Sequence, residues 1–105
     1  MNKNRIICVF QPHTYSRTKA LLNEFSEALS LADKVYLADI YPAREQNIYN
    51  ISSQNLADIT KNAEYVGSFE EIAEIIKRNV KENDLIITMG AGEAYKVGDI
   101  LLSKQ

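Results

Sequence analysis

Arg5-Ile6-Ile7-Cys8-Val9-Phe10, followed directly by Gln11-Pro12-His13-Thr14-Tyr15-Ser16-Arg17-Thr18, is the stretch around which the rest of the chain is arranged. Its first part is a continuous apolar, β-rich run, which is typical of a parallel strand covered on both faces. The polar part holds the only histidine of the chain. We therefore expect a buried strand that ends in a binding or catalytic junction.

An amphipathic helix is predicted after this junction, because apolar residues recur there at spacings of three and four. These residues are Leu21, Leu22, Phe25, Ala28, Leu29 and Ala32. Ser16 or Thr18 is the predicted N-cap. A second buried strand is predicted over Lys34–Asp39, and the long loop Ile40–Ile51 that follows is of a length often found in functional loops. We interpret Arg44 and Glu45 most simply as a solvated pair of loop residues.

The second half of the chain continues the alternation. Ser52 or Ser53 is expected to cap a short helix, and residues 63–67 are a predicted third strand. Ser68 and Glu71 have the spacing of a capping box. The helix that they begin has an apolar face formed by Phe69, Ile72, Ile75, Ile76 and Val80. A fourth strand over residues 84–89, a tight turn at Gly90-Ala91-Gly92 and a closing helix over residues 93–102 complete the prediction.

This order of elements predicts an α/β protein. We expect a Rossmann-like, three-layer α/β/α sandwich with a mainly parallel, four-stranded sheet in the order 4-1-2-3, formed by residues 1–105 as a single domain. Strands one and four are then neighbours, and ligands bind in the crevice beyond their carboxyl ends. The opening junction and the Gly90 turn should therefore face each other.

The composition of the chain argues against nucleic acid and membranes as partners. The chain has 105 residues, 46% of them hydrophobic and 25% charged, with a net charge of -2. It carries no basic stripe, so we expect no nucleic-acid partner. No apolar run approaches the roughly 20 residues that cross a bilayer, and no signal-peptide core is visible, so no membrane partner is expected. The lone Cys8 is interpreted as a core residue in a reducing, cytoplasmic protein.

Residues near the predicted crevice are candidates for binding. His13 can donate and accept protons near neutral pH, although a structural histidine is an equal alternative. Arg17 is an anion binder whose guanidinium adds to the free amides of a helix start, although an exposed salt bridge stays open. Tyr15 can stack on a ligand or cover the core. Asp39 can orient a partner or simply form a turn.

Gly90-Ala91-Gly92 is a secondary candidate for backbone contact with a ligand. It matches only the start of a dinucleotide fingerprint, because Tyr95 stands where the third glycine belongs, and it lacks the Gly-Lys-Ser/Thr ending of a P-loop. The sequence shows no metal-ligand cluster and no Ser/His/Asp or Cys/His nucleophile set. We expect no metal site in this chain.

Three motifs carry a resemblance to a known family. They are Phe10-Gln11-Pro12-His13-Thr14-Tyr15-Ser16-Arg17-Thr18, Asp39-Ile40-Tyr41-Pro42-Ala43-Arg44-Glu45 and Thr88-Met89-Gly90-Ala91-Gly92. Over nearly its whole length the chain resembles the C-terminal domain of the Mur ligases, in particular those that join L-alanine to UDP-N-acetylmuramate. The resemblance implies an ATP-dependent, Mg²⁺-requiring ligase of peptidoglycan synthesis, in which the amino acid attacks an acyl-phosphate.

The resemblance also implies residue roles and a truncation. His13, Thr14, Tyr15 and Arg17 become the substrate-binding candidates, and Arg17 is expected to hold the L-alanine carboxylate. The family binds the UDP-sugar, ATP and Mg²⁺ through domains that this chain lacks, so we expect a truncated C-terminal domain that binds no cofactor and is inactive alone. The family also has a strand beside strand four that is missing here. Self-association through that edge is therefore expected.

Two alternatives stay open. The C-terminal domain of the related ligase that recycles a tripeptide onto the same sugar is similar. A free-standing, flavodoxin-like binding module without catalysis has the same order of elements, whereas a response-regulator receiver is disfavoured because Phe10-Gln11-Pro12-His13 lacks the acids that it needs.

Overall fold

A computed structural model describes residues 5–90, in which strands and helices alternate along the chain. The elements are β1 (Ile6–Gln11), α1 (Tyr15–Ala20), α2 (Leu22–Leu29), β2 (Lys34–Ala38), α3 (Ser53–Ile59), β3 (Ala63–Gly67), α4 (Phe69–Asn79) and β4 (Leu85–Gly90). The predicted turn residues Ala91 and Gly92 and the predicted closing helix lie outside the described residues.

The four strands form one sheet in the order β3-β2-β1-β4, and their pairings are parallel. The predicted order of the strands is therefore confirmed. Strand β1 pairs with β4 over its whole length, from Ile6 opposite Leu85 to Gln11 opposite Gly90. The two strands consequently end at the same level, and they place the start of the polar junction beside Gly90.

Helices cover both faces of the sheet, which confirms the three-layer architecture. On one face, Ile7 and Val9 of β1 pack with α4 through Ile72 and Ile76. On the other face, residues of β1 and β2 pack with α2 and α3; they are Cys8, Phe10, Leu29, Val35, Leu37, Leu56 and Ala57. Burial raises the pKa of the Cys8 thiol to about 11, as expected for an unreactive core residue.

The first predicted helix is wrong in its boundaries. The chain forms two helices, α1 and α2, which meet at Leu21, whose φ of -110° and ψ of 20° lie outside the helical range. The N-cap is Thr14 rather than Ser16 or Thr18, because the Thr14 side chain accepts from the Arg17 amide. Hydrophobic periodicity begins only at Leu21, so it did not reveal the preceding short helix.

The start of α4 was predicted better than its end. Ser68 is the N-cap, as expected, and its Oγ accepts from the Glu71 amide at 3.1 Å. The helix ends at Asn79, and Val80 has an extended backbone and a 41% exposed side chain. The prediction that Val80 belongs to the buried helical face is therefore wrong, because the helix stops one residue before it.

Candidate functional site

The polar junction after β1 is held against the start of the long loop by backbone pairing. The Thr14 amide donates to the Tyr41 carbonyl at 2.7 Å, and the Tyr41 amide donates to the Pro12 carbonyl at 2.8 Å. The rings of His13 and Tyr41 stack with their centroids 5.7 Å apart. The loop therefore begins as a short parallel extension of the sheet, and this pairing fixes the backbone on both sides of His13.

Thr14 has a strained backbone conformation. Its φ of 63° and ψ of 148° lie in a region that residues other than glycine rarely adopt. Three hydrogen bonds besides that to Tyr41 hold it there. Its Oγ1 accepts from the Arg17 amide at 3.3 Å, and its carbonyl accepts from the amide and hydroxyl of buried Thr18 at 3.2 and 2.7 Å. Such strain is characteristic of functional sites.

Glu45 caps the start of α1. Its carboxylate accepts from both the backbone amide and the hydroxyl of Ser16. The hydrogen bond from the Ser16 side chain is the main reason why the pKa of Glu45 lies below its ordinary value, and the backbone bonds from Ser16 and Tyr15 contribute. The prediction of a solvated Arg44–Glu45 pair is therefore wrong. The long loop brings a carboxylate to helix amides that lack partners within the helix.

Three amides in the first turn of α1 are consequently occupied. Ser16 donates to Glu45, Arg17 donates to the Thr14 hydroxyl and Thr18 donates to the Thr14 carbonyl. The expectation that free helix amides assist in anion binding is not met, since the chain supplies their acceptors itself. Anion binding at this junction depends on the Arg17 guanidinium.

A cavity of about 270 Å³ lies where β1 and β4 end. We call it the β1–β4 cavity, and the described residues that line it are Phe10, Gln11, His13, Arg17, Leu21, Phe25 and Gly90. His13 is half-buried, whereas Arg17 is exposed. The predicted juxtaposition of His13 and Arg17 with Gly90 is confirmed.

Tyr15 and Asp39 line a different cavity, of about 300 Å³. This loop cavity is completed by Ile40, Asn47, Ile51, Ser52 and Ser53. Asp39 accepts a hydrogen bond from the Tyr65 hydroxyl, which raises the pKa of Tyr65. The structure therefore divides the candidate residues between two concave regions: His13, Arg17 and Gly90 share one, and Tyr15 and Asp39 share the other.

Several residues of the β1–β4 cavity were not among the sequence candidates. Phe10 and Phe25 form an apolar wall, with ring centroids 5.3 Å apart. Gln11 is only 8% exposed, which is unusual for a glutamine. Its place at the end of an apolar strand, directly before the Pro12-His13 pair, is the sequence signal that identifies it as a candidate.

Residues 5–90 contain no group of three or more His, Cys, Asp or Glu side chains arranged to hold a metal ion. No helix among these residues is long and apolar enough to cross a membrane.

A parallel α/β sheet with helices on both faces and a cavity beyond the ends of two neighbouring strands defines the class of this molecule as a Rossmann-like α/β domain. Residues 1–92 match the family model described as the Mur ligase, glutamate ligase domain. The chain belongs to the Mur ligase family and corresponds to its C-terminal domain.

Individual relatives agree with this assignment. The chain is 53% identical over 105 residues to the UDP-N-acetylmuramate–L-alanine ligase of Agathobacter rectalis, covering 96% of the chain and 23% of the relative. It is 52% identical to the ligase of the same name from Acetivibrio thermocellus, covering 96% of the chain and 22% of the relative. The chain thus spans less than a quarter of the length of these relatives.

A solved structure supports the fold. It is a domain from a putative UDP-N-acetylmuramate:L-alanyl-γ-D-glutamyl-meso-diaminopimelate ligase of Haemophilus ducreyi, which is 23% identical in sequence. The TM-score is 0.60, and the match covers 98% of the chain and 70% of the solved domain. At this level of identity the likeness concerns the fold alone.

Proposed function

We propose that this chain is the substrate-binding C-terminal domain of an ATP-dependent ligase that joins L-alanine to UDP-N-acetylmuramate, and that the β1–β4 cavity binds the carboxylate of the amino acid. The observation that supports this best is the shared cavity, in which Arg17 and His13 lie beside an apolar wall. A small amino acid presents a carboxylate and a short apolar side chain, which complement a cation and apolar surface.

Arg17 is the residue proposed to bind the carboxylate. A guanidinium offers paired donors that match the two oxygens of a carboxylate. The Arg17 backbone is fixed by Thr14, whose hydroxyl accepts from the Arg17 amide. Thr14 therefore acts by positioning Arg17, while Gly90 also lines the cavity. Tyr15 and Asp39 are assigned to the separate loop cavity and remain secondary candidates for substrate contact.

ATP and Mg²⁺ are proposed to bind elsewhere in the complete enzyme. The sequence has no P-loop, which is the element that would grip the triphosphate. The 105-residue chain alone is therefore expected to bind neither and to show no ligase turnover. The free Cys8 favours a reducing compartment, in keeping with a proposed cytoplasmic location.

The relatives favour L-alanine over the tripeptide alternative. The matches at 53% and 52% identity carry the name of the alanine ligase. The tripeptide-type ligase domain is similar at 23% identity, which supports no more than the fold. A free-standing binding module is not favoured, since the chain belongs to the Mur ligase family.

The outer edge of β4 is proposed as a site of self-association for the 105-residue chain. β4 is at the end of the sheet formed by the described strands. Three of its apolar side chains are exposed: Leu85 by 52%, Ile87 by 37% and Met89 by 46%. An apolar edge strand of this kind is a template for pairing with another chain.

Steady-state kinetics of a chimaera tests the carboxylate site. In the Agathobacter rectalis relative, the matching region is replaced by this chain, with and without Arg17→Ala. We expect Arg17→Ala to raise the KM for L-alanine about 10- to 100-fold, because a hydrogen-bonded ion pair is lost, and to change the KM for ATP less than about twofold.

Arg44→Ala is the matched control, since it removes a guanidinium from the exposed loop outside the β1–β4 cavity. It should leave both KM values unchanged. An Arg17→Ala chimaera that loses affinity only for ATP, or for neither substrate, contradicts the proposed site.

A further inference from the structure

His13 lines the β1–β4 cavity, and its ring is held by a residue of the long loop. His13 is half-buried, so part of its surface is accessible to a ligand. Its imidazole stacks on the ring of Tyr41, with the centroids 5.7 Å apart and the ring planes inclined by 19°. Tyr41 is not among the described residues that line the cavity. An effect of the Tyr41 ring on a ligand in the cavity would therefore pass through His13.

The stacked arrangement restricts the orientation of the imidazole. The distance between the two centroids lies within the range of roughly 4.5–7 Å that favours attraction between aromatic rings. A histidine side chain without such a contact can turn about two torsions, the second of which has a broad energy minimum. Stacking favours the orientations in which the imidazole stays nearly parallel to the Tyr41 ring. A binding group that is already held in place loses less conformational entropy when its ligand arrives.

The backbone keeps the two rings side by side. His13 and Tyr41 form a parallel bridge outside the named strands. The Tyr41 amide donates to the Pro12 carbonyl at 2.8 Å, and the Thr14 amide donates to the Tyr41 carbonyl at 2.7 Å. Pro42 follows directly in the sequence and favours the extended backbone that Tyr41 needs for this pairing. The stack is therefore supported by hydrogen bonds on both sides of His13.

The same loop also brings a charge close to His13. The Glu45 amide donates to the Pro42 carbonyl at 2.9 Å, and this turn directs the chain back towards α1. The hydrogen bond from the Ser16 side chain is the main cause of the lowered pKa of Glu45, and the charge of His13 is a smaller cause. The loop thus places both an aromatic ring and a carboxylate near the imidazole.

We infer that Tyr41 is a positioning residue, whose ring holds the His13 imidazole at the β1–β4 cavity in the orientation that binds the amino-acid substrate. This inference rests on the proposed function, which places the substrate in that cavity beside Arg17. Tyr41 acts through its ring, so its hydroxyl group is dispensable. The start of the long loop then supports the binding site without touching the substrate.

Tyr41→Leu and Tyr41→Phe in the chimaeric ligase test the inference through the KM for L-alanine. Tyr41→Leu removes the aromatic ring and should raise this KM about three- to tenfold, because the imidazole must then be immobilised when the substrate binds. Tyr41→Phe keeps the ring and should change the KM less than about twofold. Tyr49→Leu is the matched control in the same loop, since Tyr49 contacts Lys19 through its backbone carbonyl, which the substitution retains.

A double-mutant cycle separates positioning of His13 from a general loss of structure. His13→Ala should itself raise the KM for L-alanine, because it removes the group that Tyr41 positions. Adding Tyr41→Leu to His13→Ala should then raise the KM by no more than about 1.5-fold. A structural role of Tyr41 that is independent of His13 predicts instead the same effect of Tyr41→Leu in both backgrounds.

NMR spectroscopy of the 105-residue chain reports on the stack itself, because His13 is the only histidine. The ring current of Tyr41 should displace the imidazole proton resonances of the wild-type chain from the positions of free histidine. Tyr41→Phe should retain this displacement, and Tyr41→Leu should remove most of it. Tyr49→Leu should leave the imidazole resonances unchanged.

The outcomes separate this inference from the proposed function. Tyr41 does not position a binding residue if Tyr41→Leu or His13→Ala leaves the KM for L-alanine unchanged, or if the two effects multiply in full. Equal impairment by Tyr41→Phe and Tyr41→Leu also contradicts the inference, because the ring is then not the important group. In each case the carboxylate site stands as long as Arg17→Ala raises the KM for L-alanine. If Arg17→Ala has no effect, the proposed function is overturned, and this inference with it.

Discussion

The polar junction at residues 11–17 begins where strand β4 ends, yet the two regions are built in opposite ways. At the junction, strained Thr14 and the start of α1 are held by hydrogen bonds from within the chain. Along β4, alternate apolar side chains from Leu85 to Met89 are exposed. The junction is held by contacts among the described residues, whereas β4 leaves apolar side chains exposed.

The exposed apolar surface of β4 continues onto one face of the sheet. An apolar cavity of about 200 Å³ lies there, and it is lined by Ile6, Cys8, Ala28, Leu29, Leu31, Ala32, Ile87 and Met89. Leu31 is 85% exposed. The two regions meet at one pair only, where Gln11 lies opposite Gly90.

Disrupting the contact between Gln11 and Gly90 should have the largest effect on the stability of the chain. Gly90→Ala places a Cβ atom 2.2 Å from the Gln11 carbonyl oxygen at a φ of 119°, so both a clash and backbone strain result. We expect the 105-residue chain to lose about 4 kcal/mol or more of its unfolding free energy, measured by urea denaturation followed by circular dichroism.

Gly67→Ala is the matched control. Gly67 also has a positive φ, of 102°, but its Cβ would meet nothing closer than the Tyr65 hydroxyl at 3.6 Å. Strain alone should then cost roughly 1–2 kcal/mol. Equal losses in the two variants contradict the close fit between β4 and the junction.

Adding charge to the β4 edge should weaken self-association. We expect the wild-type chain to show a concentration-dependent sedimentation coefficient, and Ile87→Lys to weaken the association about tenfold or more, because pairing then buries an unpaired ammonium. Asn23→Lys adds the same charge on the exposed side of α2 and should not change the association. A wild-type chain that is monomeric at every concentration contradicts self-association through the β4 edge.

Removing the Glu45 carboxylate should have the smallest effect on the free energy of unfolding, because only the contacts of the junction are lost. The hydrogen bond from the Ser16 side chain lowers the pKa of Glu45 in the folded chain, so the carboxylate stabilises the fold above its unfolded pKa of about 4.3. That stabilisation is lost as the pH falls through the lowered folded pKa. Glu45→Gln should therefore be less stable than the wild type at pH 7 and equally stable at low pH.

Ser16→Ala provides the check on this assignment. Because Ser16 and Glu45 interact directly, the two substitutions should be non-additive in a double-mutant cycle of unfolding free energies at pH 7. Strictly additive losses, or a Glu45→Gln difference that is independent of pH, show that the carboxylate does not cap α1.

The elements predicted best were those with a clear pattern of apolar residues, either a continuous run or a helical repeat. Strand β1 and the buried face of α4 through Ile72 and Ile76 follow directly from apolar patterning, and both are confirmed. The break at Leu21 and the Thr14 cap were missed, since the short α1 buries Thr18 and has no apolar stripe. The role of Glu45 was missed for another reason: its partner Ser16 lies 29 residues away in the sequence.

The sequence by itself determined the alternation of strands and helices and the parallel sheet with its order, because these depend on local apolar patterning. It also determined the family to which the chain belongs, because the motifs that identify the family are contiguous. Only the tertiary structure decided which candidates share a site. It placed His13 and Arg17 in one cavity with Gln11 and Gly90, and Tyr15 and Asp39 in another. The physical reason is that a cavity is formed by the ends of strands that are distant in sequence, and their alignment depends on the register of the sheet.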